Sequence, residues 1–116
     1  MERNAAPIIG RIVKVTVDRP MGTRHPEHES LMYPINYGFV EGIPAPDGEA
    51  QDAYILGVDG PVREFTGKVI AVIKRNDDVE TKWVVAPENR RYSREEVLAQ
   101  IHFQERYFDI EISMEF

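Results

Sequence analysis

The amino-acid sequence predicts a small, β-rich α+β domain, built as a five-stranded barrel with one flanking helix near its carboxyl end. Short apolar runs and apolar–polar alternation, both typical of strands, recur along most of the chain. Glycine and proline separate these runs, and only one segment carries helix-start signals. A closed or partly closed barrel is favoured because closure removes exposed sheet edges.

Five segments are predicted strands, and a sixth is possible. In the first strand, Val13, Val15 and Val17 share one face. The third strand is apolar on both faces after Asp52, as expected for a buried strand. The predicted strands are 10–18, 35–42, 51–58, 67–75 and 81–87, with the possible sixth at 109–116, where Ile110, Ile112, Met114 and Phe116 share a face.

One helix is predicted after the fifth strand. Ser93 is a suitable N-cap, and Glu96 three residues later completes the capping-box pattern. Val97, Leu98 and Ile101 provide an inward-facing apolar stripe, with Phe108 as a further candidate.

Size, composition and charge restrict the functional class. The 116 residues, 42% of them hydrophobic, predict one domain over residues 1–116 with a core that needs no crosslinks. There is no cysteine, which excludes disulfides, thiolate zinc sites and cysteine nucleophiles.

The amino-terminal sequence is unlike a signal peptide, and the longest strongly apolar stretch, 69–73, is too short to cross a bilayer. We therefore expect a cytoplasmic protein without membrane contact. A net charge of −6 argues against nucleic-acid binding.

The turn "APDGEAQDAY", residues 45–54, places three carboxylates immediately before a buried strand. At about 5 Å and an effective dielectric of about 20, two carboxylates repel by roughly 3 kcal/mol. Asp47, Glu49 and Asp52 therefore form either a solvated turn, which Pro46 and Gly48 favour, or a site for a hard cation such as magnesium or manganese.

Three other segments carry polar groups suited to a site. The first, "RNDDVETK", places Asp77, Asp78 and Glu80 between two strands and Lys82 just after them, either as a charged hairpin or as a second set of metal ligands. In the second, "YPINYGF", the tyrosines Tyr33 and Tyr37 share a strand face and are expected either to pack in the core or to bind ligand oxygens. The third, "DRPMGTRHPEHE", carries Asp18, Arg19, Arg24, His25 and His28, whose histidines are either solvated or weak metal-ligand candidates.

Taken in order, these segments resemble the soluble, magnesium-dependent inorganic pyrophosphatases. The resemblance runs from about residue 15 to 109 and rests on "YPINYGFV", "APDGEAQDAYILG", "TGKVIAVIKRNDDVETKWVVAPE" and "IHFQERYFD". It implies an OB-type barrel with a flanking helix, hydrolysis of pyrophosphate by metal-activated water, and magnesium, manganese or another divalent metal as cofactor. It also implies self-association into a homo-oligomer.

The resemblance also assigns roles to individual residues. The implied metal ligands are Asp18, Asp47, Glu49, Asp52, Asp77 and Glu80, and the residues implied in catalysis or phosphate binding are Asp47, Glu49, Lys82, Tyr37 and Tyr107. Glu49 stands where the family has an aspartate that helps to deprotonate the attacking water.

The chain also departs from the family pattern. Only about 14 residues join Asp18 to Tyr33, so the family's hairpin with its site lysine, glutamate and arginine is predicted to be truncated. Phe108 replaces the lysine that follows the late tyrosine. A non-catalytic module that binds metal or phosphate metabolites therefore remains an alternative to the hydrolase. A third reading, in which Tyr33, Tyr37, Phe39 and Tyr54 stack nucleic-acid bases, is disfavoured by the charge.

Overall fold

The structure of the protein, a computed structural model, describes residues 8–77 and 79–114. Phe116, the last member of the predicted sixth-strand face, lies outside these residues. The elements, in chain order, are β1 (Ile12–Arg19), β2 (Asn36–Pro44), β3 (Ala50–Ile55), β4 (Glu64–Arg75), β5 (Thr81–Ala86), α1 (Arg94–Glu105) and β6 (Ile110–Met114). In the described part of the chain, no helix is long and apolar enough to cross a membrane.

Five strands close into a barrel. The pairing order is β1–β2–β3–β5–β4, and β4 pairs back with β1. The β3–β5 pair is parallel and the other pairs are antiparallel. Strand β4 is 12 residues long, so its residues 64–68 close the barrel against β1 while its residues 71–75 pair with β6. The predicted barrel is confirmed, and β6 is an additional strand beside it.

Helix α1 begins where the sequence predicts. Ser93 Oγ accepts a hydrogen bond from the Glu96 backbone N–H, and a Glu96 carboxylate oxygen accepts one from the Ser93 backbone N–H, which confirms the capping box. Val97 and Ile101 are fully buried. Phe108 lies beyond the helix end, so its inclusion in the helical stripe was wrong; the chain turns after Arg106.

The core consists of two clusters that share strands. One packs against α1 and contains Tyr54, Val84 and Ile101; the other contains Ala53 and Trp83. Because successive side chains of a strand point to opposite faces, β3 and β5 each contribute alternate residues to both clusters. This double burial explains why β3 is apolar on both faces.

Candidate functional site

A cavity of about 530 Å³ lies beside the barrel, within the size range of small-molecule sites. Its walls come from the end of β1, the segment 20–33, strands β2 to β5 with the β4–β5 turn, and the end of α1 with the residues that follow it. Of the residues implied by the resemblance, six line it: Asp18, Tyr37, Asp52, Glu80, Lys82 and Tyr107. Residues that are far apart in the sequence therefore meet at one place.

A β-bulge at the end of β1 brings two consecutive residues to the cavity. Val17 pairs with Gly38 and Arg19 pairs with Tyr37, so Asp18 is an extra residue opposite β2. Neighbouring residues of a regular strand point to opposite faces, whereas Asp18 and Arg19 both line the cavity. Burial raises the pKa of Asp18 although the charge of Arg19 opposes the rise, and the nearby Asp52 carboxylate adds a smaller increase.

Lys82 joins the two other carboxylates of the cavity. Its ammonium nitrogen lies 2.7 Å from Asp52 Oδ2 and 2.7 Å from Glu80 Oε1, and it donates to the Tyr37 hydroxyl at 2.9 Å. Burial opposes the charge of Lys82, but Tyr37, Asp52 and Glu80 together raise its pKa above the ordinary value. The ammonium group is therefore charged at neutral pH and offsets the repulsion between the two acids.

A buried polar network connects this lysine group to the helix. Arg75 Nε and Nη2 donate to the two Glu105 carboxylate oxygens at 3.1 and 2.9 Å, and Arg75 Nη1 reaches Glu80 Oε2 at 3.4 Å. Tyr54 donates to Glu105, and Gln104 donates to the Tyr54 hydroxyl at 2.7 Å. The end of α1 and the start of β5 are thereby coupled through Arg75.

Three of the predicted site residues lie outside the cavity lining. Asp47 and Glu49 are exposed in the β2–β3 turn, where Asp47 Oδ1 accepts the Glu49 backbone N–H at 3.0 Å. Asp77 is exposed between β4 and β5. Over residues 8–77 and 79–114, no three histidine, aspartate or glutamate side chains are close enough to hold a metal ion as they stand. The metal roles of Asp47, Glu49 and Asp77 remain predictions.

The segment between β1 and β2 forms a short hairpin, residues 20–33. The Gly22 N–H donates to Tyr33 O, and the Tyr33 N–H donates to Thr23 O. The backbones of Arg24 and Met32 form an isolated antiparallel β-bridge. Hairpin 20–33 contributes His25 and His28 to the cavity.

Sequence reasoning missed four residues of the cavity wall: Arg75, Gln104, Ser30 and Leu31. Arg75 ends an apolar strand, a position at which a charged side chain is usually solvated, yet its side chain is only 5% exposed. Its partner Glu105 is 30 positions away, so no local pattern indicates the pair. Three of the four aromatic residues considered for base stacking, Tyr33, Tyr37 and Tyr54, are buried in the core cluster that packs against α1.

Comparisons with known proteins identify the fold. No model of a known protein family matches the chain, and no curated protein matches it either. The inorganic pyrophosphatase of Ehrlichia chaffeensis superposes with a TM-score of 0.68 at 17% identity, over 96% of this chain and 88% of that one. The inorganic pyrophosphatase of Neisseria gonorrhoeae superposes with a TM-score of 0.65 at 19% identity, over 84% of this chain and 74% of that one. That of Coxiella burnetii superposes with a TM-score of 0.63 at 19% identity, over 97% of this chain and 89% of that one. The chain thus has the fold of the inorganic pyrophosphatases.

Proposed function

We propose that the protein hydrolyses inorganic pyrophosphate, or a related small phosphoanhydride, to phosphate by means of metal-activated water. The observation that carries this proposal is the cavity in which Asp18, Asp52 and Glu80 meet Lys82 and Tyr37. These carboxylates come from β1, from β3 and from the residue that precedes β5, in a barrel whose structural neighbours are inorganic pyrophosphatases.

The charges of the cavity support a divalent cofactor, with magnesium first and manganese as an alternative. Three carboxylates face three cations there, which leaves no surplus of positive charge for a compact polyanion. Within the described residues no cation contacts Asp18 closely enough for an ion pair, although the charge of Arg19 acts on it, and carboxylate oxygens are the ligands that these metals prefer. A bound ion would supply positive charge and acidify a water molecule.

The chain's own groups can bind and orient the substrate. The three N–H bonds of the Lys82 ammonium go to Tyr37, Asp52 and Glu80, so Lys82 would donate to a phosphate oxygen once a bound metal takes over the two carboxylates. The Tyr37 hydroxyl, which accepts from Lys82, keeps its own proton to donate to a phosphate oxygen. Tyr107 lies at the cavity with 63% of its surface exposed, and its hydroxyl, which accepts from Arg106 Nη2 at 2.8 Å, keeps its own proton to donate to a ligand. Asp47, Glu49 and Asp77 belong to the proposal as acids that join the site when metal and substrate bind, with Glu49 assisting proton removal.

The decisive test is phosphate release from pyrophosphate with magnesium or manganese. We expect Asp52→Asn to lower turnover by at least about 100-fold, because it removes a carboxylate of the cavity lining that contacts Lys82. Asp59→Asn is the matched control, since Asp59 is exposed and is not part of the cavity lining. Unchanged hydrolysis in Asp52→Asn would exclude this mechanism.

A second candidate is a non-catalytic module that binds metal or phosphate metabolites on the same barrel. Lys82 favours this candidate, because its ammonium group already contacts the Asp52 and Glu80 oxygens that a catalytic metal would need. Calorimetric titration with pyrophosphate and several divalent metals distinguishes the two functions. Binding without any phosphate release selects the module, whereas release selects the hydrolase.

A further inference from the structure

One buried cation of the cavity wall has no role in the proposed hydrolysis. Arg75, the last residue of β4, lines the cavity, but its side chain is almost fully buried. Its Nε and Nη2 donate to the two carboxylate oxygens of Glu105, at the end of α1. The ring of Phe108 lies against the guanidinium, with Arg75 Cζ 3.5 Å from the ring centre. The guanidinium plane is therefore fixed by α1 and by the segment that follows it.

The backbone around Arg75 is also fixed. The Arg75 N–H donates to Glu80 O at 3.1 Å, which closes the β4–β5 connection. Arg75 pairs with Ile110 of β6, and the next residue, Asn76, donates its N–H to Asp109 O at 2.8 Å. Because three neighbouring segments hold this residue, its side chain cannot move without breaking several contacts.

The remaining nitrogen of the guanidinium reaches an acid of the cavity. Arg75 Nη1 lies 3.4 Å from Glu80 Oε2, and Lys82 Nζ lies 2.7 Å from Glu80 Oε1. Each oxygen of Glu80 thus contacts a different cation. The side chain of Glu80 is 34% exposed, and a glutamate side chain with this exposure has considerable rotamer freedom to lose. Arg75 restricts that freedom from the buried side.

Arginine is suited to this position in a way that lysine is not. The planar guanidinium donates to Glu105 through two nitrogens and extends a third toward Glu80, all in one fixed geometry. A lysine ammonium is a point charge and cannot span both acids in this way. The face of the Phe108 ring attracts the guanidinium, whereas a cation at position 108 would repel it.

We propose that Arg75 is a positioning residue, which holds the Glu80 carboxylate at the cavity in the orientation that a divalent ion requires. The role of Glu80 as a ligand of that ion rests on the proposed function. Arg75 acts through Glu80, as the outer hydrogen-bond partners of metal ligands do in general. The positioning is measurable as metal affinity, without hydrolysis.

The test is a titration of the full chain with Mn²⁺ in the absence of pyrophosphate, with free Mn²⁺ measured by electron paramagnetic resonance. We expect Arg75→Lys to weaken Mn²⁺ binding by at least about 10-fold, because the side chain keeps its charge but loses the fork that reaches Glu80. Since the charge is retained, a change in repulsion between the side chain and the ion does not account for this loss.

Arg63→Lys is the matched control. Arg63 is an exposed arginine immediately before the other end of β4 and is not part of the cavity lining. We expect its replacement to change Mn²⁺ affinity by less than about twofold.

Glu80→Gln separates positioning from a general structural role. If Arg75 acts through Glu80, adding Arg75→Lys to Glu80→Gln changes Mn²⁺ affinity by less than about twofold, because the carboxylate that Arg75 orients is already gone. The same 10-fold loss with and without the Glu80 carboxylate overturns the proposal. So does an unchanged Mn²⁺ affinity in Arg75→Lys alone.

Two substitute variants keep the test decisive. If Arg75→Lys does not fold by circular dichroism, Phe108→Leu replaces it, since it removes the ring from the guanidinium and leaves both acid partners of Arg75 in place. We then expect a loss of Mn²⁺ affinity of about threefold, which disappears in the Glu80→Gln background. If Glu80→Gln binds no Mn²⁺, Glu80→Asp serves as the background, because its shorter side chain draws the carboxylate away from Arg75.

The failure of this proposal is distinguishable from that of the proposed function. Mn²⁺ binding that depends on Arg75 only through Glu80, without any pyrophosphate hydrolysis, supports the positioning role and contradicts the hydrolase. Hydrolysis by a chain whose Mn²⁺ affinity is independent of Arg75 contradicts the positioning role and leaves the hydrolase standing. The absence of any saturable Mn²⁺ binding contradicts both.

Discussion

At the residue scale, Lys82 determines the electrostatics of the cavity. Asp52 and Glu80 both contact its ammonium group at 2.7 Å, so their mutual repulsion is offset without any added ion. A divalent metal at these oxygens would have to share them with Lys82 or displace it. Lysine suits such a position because its ammonium is a point charge on a flexible stem.

The first prediction concerns Lys82→Met. Without divalent metal we expect the free energy of unfolding to fall by about 1–3 kcal/mol, less than for a fully buried pair, because Asp52 and Glu80 are 35% and 34% exposed. With saturating magnesium the loss should shrink, because the ion takes over the charge of the ammonium. Urea denaturation with and without magnesium measures both values.

Lys74→Met serves as the control for this experiment, since Lys74 is an exposed residue of the same sheet outside the cavity. If magnesium raises the free energy of unfolding by the same amount in Lys82→Met, in Lys74→Met and in the unsubstituted chain, no divalent ion competes with Lys82.

At the element scale, the junction of β1 and β2 shapes the cavity. Next to the bulge at Asp18, β1 lies unusually close to β2, and Gly38 permits this approach. A Cβ atom at Gly38 would lie 1.9 Å from Thr16 O, a backbone atom that cannot rotate away. Glycine at this position is therefore required by the packing of two backbones.

The second prediction is that Gly38→Ala destabilises the protein by about 2–4 kcal/mol, because a strand pair must separate to admit the methyl group. Gly60→Ala is the control, since a Cβ there meets nothing within 4 Å, and we expect a change within about 1 kcal/mol. Urea denaturation of both variants gives the comparison. Equal stability of the two variants would contradict the close approach of β1 and β2.

At the scale of the whole molecule, closure of the barrel links the two core clusters. Strands β3 and β5 contribute to both clusters, and β4 connects the closed barrel to β6. Neither cluster can therefore unfold by itself, because the strands that it would lose also form part of the other cluster.

The third prediction is that unfolding is a single transition. Trp83 is the only tryptophan and is 4% exposed in the cluster away from α1, so its fluorescence reports that cluster, while far-UV circular dichroism reports all strands and the helix. We expect the two signals to give the same midpoint in urea. A fluorescence transition that precedes the circular dichroism transition would show that the clusters unfold independently.

Local sequence patterns were sufficient to predict the strands and the helix of the fold. Alternation along β1, the double-sided hydrophobicity of β3 and the Ser93–Glu96 capping box are short-range signals, because strand and helix periods repeat within a few residues. They predicted the barrel and its helix, with strand ends displaced by a few residues.

The sequence by itself determined these elements and supplied the acids and tyrosines of the candidate site. Only the tertiary structure decided which of them meet. It brings Asp18, Asp52 and Glu80 to one cavity, leaves Asp47 and Glu49 in a solvated turn, and buries Arg75 against α1. The physical reason is that a residue's type and spacing fix its local backbone, whereas its neighbours across a barrel depend on strand register, on one bulge and on how the sheet closes.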